Sequence, residues 1–358
     1  MKVSVVVGTR GELVGMAPVI DEILRRHLQL IFVHTGQHYN RRLRGDLLRD
    51  LELPVPNYQL TCMKGGYAQQ IGDMLKGIER VLTLERPDVV LVQGNNNTTV
   101  AASLASFGLG IPIGHVESGI RHEYLLGDTN RRIVERIATY RFAPFREATS
   151  NLRADGIPSA TTSLVGDTYL DAFYVYLKKI QRSSIAKRIG VDARNLILVS
   201  VHTGFNRREE VLRMLLRQFG KMRKYSFVWV LHPGIEKRLK RLHRGQKASE
   251  NILLCQPLVY TDFQKILSCA MMVMTDSGVT QEESYLSGKP CAVLVNQEIA
   301  RSPYPMLVKA GWIEEVKDIR NLAAAVESLM RRRLTKVDRS IFGNGKASER
   351  ILDTTVHA

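Results

Sequence analysis

At 358 residues the chain exceeds what a single hydrophobic core usually supports, so two domains are expected. Hydrophobic residues make up 44% and no low-complexity segment occurs, which excludes a disordered or fibrous protein; no apolar run is long enough to span a bilayer. Lys and Arg number 51 against 35 Asp and Glu, a net charge of +16, with basic clusters at 24–26, 41–44, 207–224, 237–247 and 331–339. Such a charge suits nucleic acid, an anionic membrane surface or an acidic substrate. No nucleic-acid motif accompanies it and no aromatics interleave with the clusters, so solvated helix faces are expected and no nucleic-acid partner.

The N-terminus leads straight into an apolar run, which predicts no signal peptide. Further strand-like runs follow at 3–8, 30–35, 89–94, 112–117, 140–144 and 162–166. A second set occupies 196–201, 227–232, 252–255, 271–275 and 291–295. Near-continuous Val, Ile and Leu separated by amphipathic stretches indicates parallel sheets covered on both faces. The expected fold class is therefore α/β, with two Rossmann-like doubly wound domains facing a cleft. The break falls near Gly166-Asp167, before a helix over 168–181. Domain one is read as 1–167 and domain two as 168–335. Cys62, Cys255, Cys269 and Cys291 lack metal or redox spacing, so buried free thiols in a reducing cytoplasm are expected, with no metal and no cofactor.

Ligands of such sheets bind outside the carboxyl ends of the strands, and the polar residues there are the site candidates. After the first run, Gly8 permits a tight turn and Arg10 can grip a phosphate bidentately; Met16-Ala17-Pro18 is read as opening a helix, with proline in its first turn. Asn95, Asn96 and Asn97 form an amide-rich helix start after 89–94. Glu117 follows 112–117, with His115 just before it, while His202 and His232 close two runs of the second set. The most informative stretch is 271–290, MMVMTDSGVTQEESYLSGKP. A strand feeding a helix through Asp276-Ser277-Gly278 aims backbone N–H groups and the positive end of the helix dipole at an anion. Glu282 and Glu283, one to two turns on, are placed to accept hydrogen bonds from a ribose diol. The plainer alternative is an ordinary turn capped by Ser277, with two solvated glutamates.

Taken together, GTRxE…MAP, TGQHY, GHVESGIR, NRR, LVGDTYLDA, TDSGxxQEE…GKP and the terminal FGNGKASERI resemble the non-hydrolysing UDP-N-acetylglucosamine 2-epimerases, in collinear order along essentially the whole chain. The resemblance implies a glycosyltransferase-B type architecture, a C-terminal segment 336–358 returning to the first domain, and a homodimer. It also implies binding of UDP or a UDP-sugar and a place in cell-surface polysaccharide biosynthesis. Arg10, His232, Ser277, Gly278 and Glu283 fall on positions that hold UDP in the family. Glu117, His202 and Arg131 fall on its catalytic positions.

The sugar side departs from the family pattern. Gly15 stands where the family has Lys, Asn95 where it has a catalytic Asp, and Gly127 where it has a Glu. The family's HRREx and TERPE segments read His202-Thr203-Gly204-Phe205-Asn206 and Ala300-Arg301-Ser302-Pro303-Tyr304, and its YGDG reads Phe342-Gly343-Asn344-Gly345. Asp128 or Glu123 are candidates to replace the missing Glu. Inverting C2 by elimination of UDP needs a positioned base and a positioned acid, and each lost acid–base group costs about 10²–10⁴ in rate. Three functions stay open on this reading: a UDP-GlcNAc 2-epimerase with impaired or altered chemistry, a non-catalytic UDP-sugar-binding member, or glycosyl transfer or hydrolysis on the same scaffold.

Overall fold

The computed structural model describes the chain apart from residues 38–40, 62–64, 122–124, 191–192, 202, 246–249, 297–299 and 357–358. His202, Glu123 and Cys62 therefore lie outside the described residues. The chain forms two compact units: Met1–Arg121, Leu125–Tyr176 and Asp338–Ala358 make the first, and Leu177–Val337 falls in the second.

The first unit holds a parallel sheet of β1 (Lys2–Val7), β2 (Gln29–His34), β3 (Tyr58–Gln59), β4 (Val89–Gln93), β5 (Ile113–Val116), β6 (Tyr140–Ala143) and β7 (Thr162–Leu164). Its order is β3-β2-β1-β4-β5-β6-β7. The second unit holds β8 (Leu196–Ser200), β9 (Ser226–Val230), β10 (Ile252–Cys255), β11 (Met272–Thr275), β12 (Cys291–Leu294) and β13 (Ile313–Val316), in the order β10-β9-β8-β11-β12-β13. Every pairing is parallel. Both are doubly wound α/β sheets, as the sequence pattern indicates, and every apolar run named above is a strand. The winding reverses between β1 and β4 in one sheet and between β8 and β11 in the other. These reversals open the crevice in which this architecture seats ligands.

The central strands are fully buried, which is why they read as unbroken apolar runs. In the second unit Phe219 stacks on Phe227 at 4.4 Å and meets Trp229 edge-on at 5.5 Å, filling the space between sheet and helix. The basic residues of the helices Glu209–Lys221 and Glu236–Gly245 point the other way: Arg213, Arg217, Lys237, Arg238 and Arg241 are exposed.

One helix start differs from expectation. The first helix runs Arg10–Arg25, so Pro18 lies inside it rather than opening it. The start is set eight residues earlier by a reciprocal cap between Thr9 and Glu12.

The C-terminal helix Ala347–Val356 is fastened within the first unit by a buried carboxylate. Asp171 accepts from Ala347 N at 3.1 Å and from Ser348 N and Oγ at 2.8 Å each. Arg26 adds an ion pair to Asp353 at 2.7 Å and a bond to Glu349 O at 3.1 Å. Asp171→Ala leaves three buried donors without their acceptor and is expected to cost about 2–4 kcal/mol. The measurements are a urea midpoint and tryptic cleavage after Lys346 or Arg350; an unchanged midpoint with no new cleavage would refute this anchoring.

Candidate functional site

The first unit's switch point is built from the ends of β1, β4 and β5. Gly8 ends β1 where the chain has no room for a side chain: a Cβ there would lie 2.2 Å from both Thr35 Oγ1 and Thr98 Oγ1. Thr9 then caps the helix, and Arg10 stands in its first turn, half-buried. Glu12 is buried and folds back so that its Oε2 accepts from Gly8 N and Thr9 N at 2.8 Å and from Thr9 Oγ1 at 3.0 Å. After β4, Asn96 caps the helix Asn97–Gly108 by accepting from Thr98 N and Thr99 N.

Glu117 follows β5 with φ +64°, a left-handed conformation that a bulky L-residue rarely adopts. Such a backbone persists only where its surroundings enforce it, and it clusters at functional sites. The carboxylate is nearly buried. Its Oε1 accepts from Gln93 Nε2 at 3.0 Å, and its Oε2 lies 3.7 Å from the guanidinium of Arg131. Burial pushes Glu117 above the usual carboxylate range, while Arg131 and Gln93 hold it back. Arg131 is itself buried on the helix Leu125–Ile137 and donates to Ile120 O at 3.2 Å. Glu117 and Arg131, both expected at catalytic positions from the sequence, thus form one ion pair.

The neighbouring polar residues are structural. His115 bridges Gly94 O at 2.8 Å and Ser118 Oγ at 2.9 Å; burial lowers it to about 4, so it stays neutral. Arg121 pairs with Glu135 at 2.7 Å and Asp155 at 2.6 Å, and Glu135 also accepts from Gly119 N at 2.6 Å. Asp128 lies in the first turn of its helix, 4.0 Å from Arg132. Asn95 offers its backbone carbonyl to Asn130 Nδ2 at 3.0 Å, and Asn130 in turn accepts from Tyr67 OH at 2.6 Å.

The second unit's switch point lies at the ends of β8 and β11. Ser277 caps the helix Gly278–Leu286, its side chain accepting from Thr280 N. Thr275 Oγ1 donates to Ser200 O at 2.7 Å and accepts from Ser277 N at 3.1 Å, tying the two strand ends together. Asp276 Oδ2 accepts from Thr203 N at 2.8 Å, Thr203 Oγ1 at 2.7 Å and Asn206 Nδ2 at 3.0 Å. His232 is half-buried at the end of β9, with Gly234 N donating to its Nδ1 at 3.1 Å.

Glu282 and Glu283 are both buried, so the reading of two solvated glutamates fails. From Thr280 to Leu286 every residue of their helix is buried, and the two carboxylates go with it. Glu282 accepts from Tyr304 OH at 2.9 Å, and Ser302 Oγ donates to Gln281 Oε1 at 2.6 Å. The segments that depart from the family pattern are therefore donors to the motif acids. Thr203 and Asn206 serve Asp276, and Tyr304 serves Glu282. Gln93 and Glu135 are the residues that the sequence motifs miss. The signal at Gln93 is the apolar run it ends, since a polar side chain at the end of a buried strand must find a partner.

Two parallel doubly wound sheets, each with polar residues gathered at its crossover, define a protein of glycosyltransferase-B type. The chain matches the family model described as UDP-N-acetylglucosamine 2-epimerase over residues 22–355. It is 32% identical over 364 residues to a UDP-N-acetylglucosamine 2-epimerase homolog of Methanococcus maripaludis, covering 99% of each. It is 31% identical over 365 residues to the UDP-N-acetylglucosamine 2-epimerase of Methanocaldococcus jannaschii, covering 98% of each. The crystal structure of the M. jannaschii UDP-GlcNAc 2-epimerase in complex with UDP-GlcNAc and UDP superposes with a TM-score of 0.92 over the whole of both chains, at 30% identity. That of the Neisseria meningitidis enzyme bound to UDP-GlcNAc gives 0.87 at 29% identity, again over both chains in full. The chain belongs to the UDP-N-acetylglucosamine 2-epimerase family.

Glu12 yields a pH signature. Burial raises it from 4.5 to about 7, against the hydrogen bonds it accepts. Between those values the native state keeps a proton that the unfolded chain has released. Its stabilising contribution is thus full below about 4.5 and is lost as pH rises through about 7. Urea midpoints at pH 4.5 and 7.5 should show the wild type losing on the order of 3 kcal/mol relative to Glu12→Gln across that interval. Parallel profiles for the two proteins would contradict this environment for Glu12.

Proposed function

We propose that this protein interconverts UDP-GlcNAc and UDP-ManNAc, with Glu117 as the base that takes the C2 proton. The observation carrying this is the Glu117 carboxylate itself, buried on a strained backbone and flanked by Arg131 and Gln93. The C2–H bond breaks as the C1–O bond to UDP breaks, its electron pair leaving on the diphosphate and a C1–C2 double bond forming. UDP then adds back at C1 while a proton reaches C2 from the opposite face. Arg131 favours the ionised form of Glu117 against burial for the first step; His202 assists the diphosphate, and Asp128 or water supplies the second proton. No cofactor is needed, because proton transfer and departure of the diphosphate balance the reaction.

In this reading Ser277 and Gly278 hold the diphosphate at the helix start, with Arg10 as its cationic partner. Glu283 takes the ribose diol and His232 the nucleobase side. Known relatives support the ligand: the M. jannaschii and N. meningitidis structures contain UDP-GlcNAc. We further read the protein as a cytoplasmic homodimer. Phe107 is 62% exposed, beside exposed Leu104 and Leu109, on and just past the helix Asn97–Gly108, an apolar surface suited to a second copy. Cys255, Cys269 and Cys291 are free thiols, in keeping with a reducing compartment, and among the described residues no helix is long and apolar enough to cross a membrane.

Calorimetry should detect UDP binding, weakened by about 1–3 kcal/mol in Glu283→Ala and Ser277→Ala through loss of one charged or cap-supported contact each. Unchanged affinity in both would remove UDP from this helix start. Chromatographic assay of UDP-ManNAc formation should show Glu117→Gln slower by about 10²–10⁴. Asn95→Asp should raise turnover by returning a titratable group to the strand end beside it. Wild-type turnover indifferent to Glu117→Gln would show that the base lies elsewhere.

A further inference from the structure

Gly15 lies inside the helix Arg10–Arg25, where a residue without a side chain weakens the helix and needs another reason to be there. The space beside it supplies the reason. A Cβ at position 15 would lie 2.1 Å from Gln93 Nε2, 2.5 Å from Gln93 Oε1 and 2.7 Å from Gln93 Cδ. The whole amide of Gln93 thus occupies the place that any larger residue at 15 would claim. That amide ends β4, is buried, and donates through Nε2 to Glu117 Oε1 at 3.0 Å and toward Thr168 Oγ1 at 3.4 Å. Its Oε1 is buried without a hydrogen-bond partner among the described residues.

A buried amide with one end engaged and the other idle carries a cost, and an idle buried group of this kind points to a role. A carboxyl group that collects and releases a proton offers that use. As a carboxylate, Glu117 needs a donor and receives Nε2–H. As a carboxylic acid it carries an O–H and needs an acceptor, which Oε1 provides once the amide turns about its last bond. Both ends of Gln93 are then satisfied in turn, and Glu117 has a matched neutral partner in each state. The charged group facing Glu117 is Arg131, from the helix Leu125–Ile137; it favours the carboxylate alone. From β4 the facing group is neutral Gln93, from the helix Arg10–Arg25 Gly15 borders the amide, and Thr168 bears on it from the helix Thr168–Arg182.

We propose that Gln93 is a positioning residue for Glu117, its amide turning to serve the carboxylate before proton uptake and the carboxylic acid after it, and that Gly15 is kept small to give that amide its place. The inference rests on the epimerase reading above and deepens it by naming what supports the base in both of its protonation states.

Two variants test it. Gln93→Met keeps the length and volume and removes both polar ends. Gly15→Ala leaves Gln93 in the chain but puts a Cβ where its amide sits, and it favours the helix, so a loss of fold is not the expected outcome. Each is followed by the pH dependence of kcat and KM for UDP-GlcNAc and by 13C NMR titration of carboxyl-labelled glutamates, with Glu117 assigned by its absence in Glu117→Gln. Both variants cost Glu117 a partner in each state, but the bond to the carboxylate is charge-assisted and the stronger of the two, so the Glu117 titration and the basic-form limb of kcat should both move up by about half a pH unit. At the pH optimum kcat should fall on the order of tenfold through misplacement of the base, with KM within about twofold. A Glu117 titration unmoved in Gln93→Met overturns the proposal. One that moves in Gln93→Met and stays in place in Gly15→Ala overturns the part assigned to Gly15. If wild-type protein gives no UDP-ManNAc, the epimerase reading fails, and the carboxyl titration still decides whether Gln93 governs Glu117.

Discussion

The structure depends on one constraint: a carboxylate drawn out of water must be given donors. Parallel doubly wound sheets bring their functional residues to the buried ends of central strands, so the acids of this family site are desolvated by the fold that positions them. Glu12, Glu117, Asp276 and Glu282 each meet that demand locally. Backbone N–H groups of Gly8 and Thr9 serve Glu12, Gln93 serves Glu117, Thr203 and Asn206 serve Asp276, and Tyr304 serves Glu282. Burial raises two of them, Glu12 and, despite Arg131, Glu117.

This constraint gives the departures from the family pattern a physical meaning. Read as letters, the replacements at 15, 203–206 and 300–304 are losses of charge on the sugar side. In three dimensions several are matched donors or matched spaces. Thr203 gives Asp276 both a backbone and a hydroxyl hydrogen, Tyr304 reaches Glu282, Ser302 ties Gln281, and Gly15 accommodates Gln93. Asn95 and Gly127 are different: neither side chain can take up or release a proton at neutral pH.

How much of this was legible from the sequence follows from the same physics. The two sheets were legible because strands buried on both faces are apolar throughout, as in VSVVV and LILVS. β13 was not: in Ile313–Val316 only the two ends are buried, while Glu314 and Glu315 pair with Arg332 and Ser302 N. β3, of two residues, offers too little pattern to detect. The anion-shaped turn at Ser277 was legible as strand, cap and helix in succession. Pro18 suggests too late a start for the first helix, because the stronger start signal is Thr9 with Glu12 three residues later. Gln93 was hidden because its importance lies in what Gly15 leaves open, and a pair from distant parts of the chain has no local signature.

The central claim is that Glu117 moves a proton at C2 of a UDP-sugar, and exchange with solvent reports that step directly. The measurement is a proton NMR time course of UDP-GlcNAc with the protein in deuterium oxide. The account predicts loss of the C2 proton signal in step with appearance of C2-deuterated UDP-ManNAc, and no such exchange in Glu117→Gln. Release of free UDP with the C2 proton intact, or no change in the spectrum at all, would contradict it.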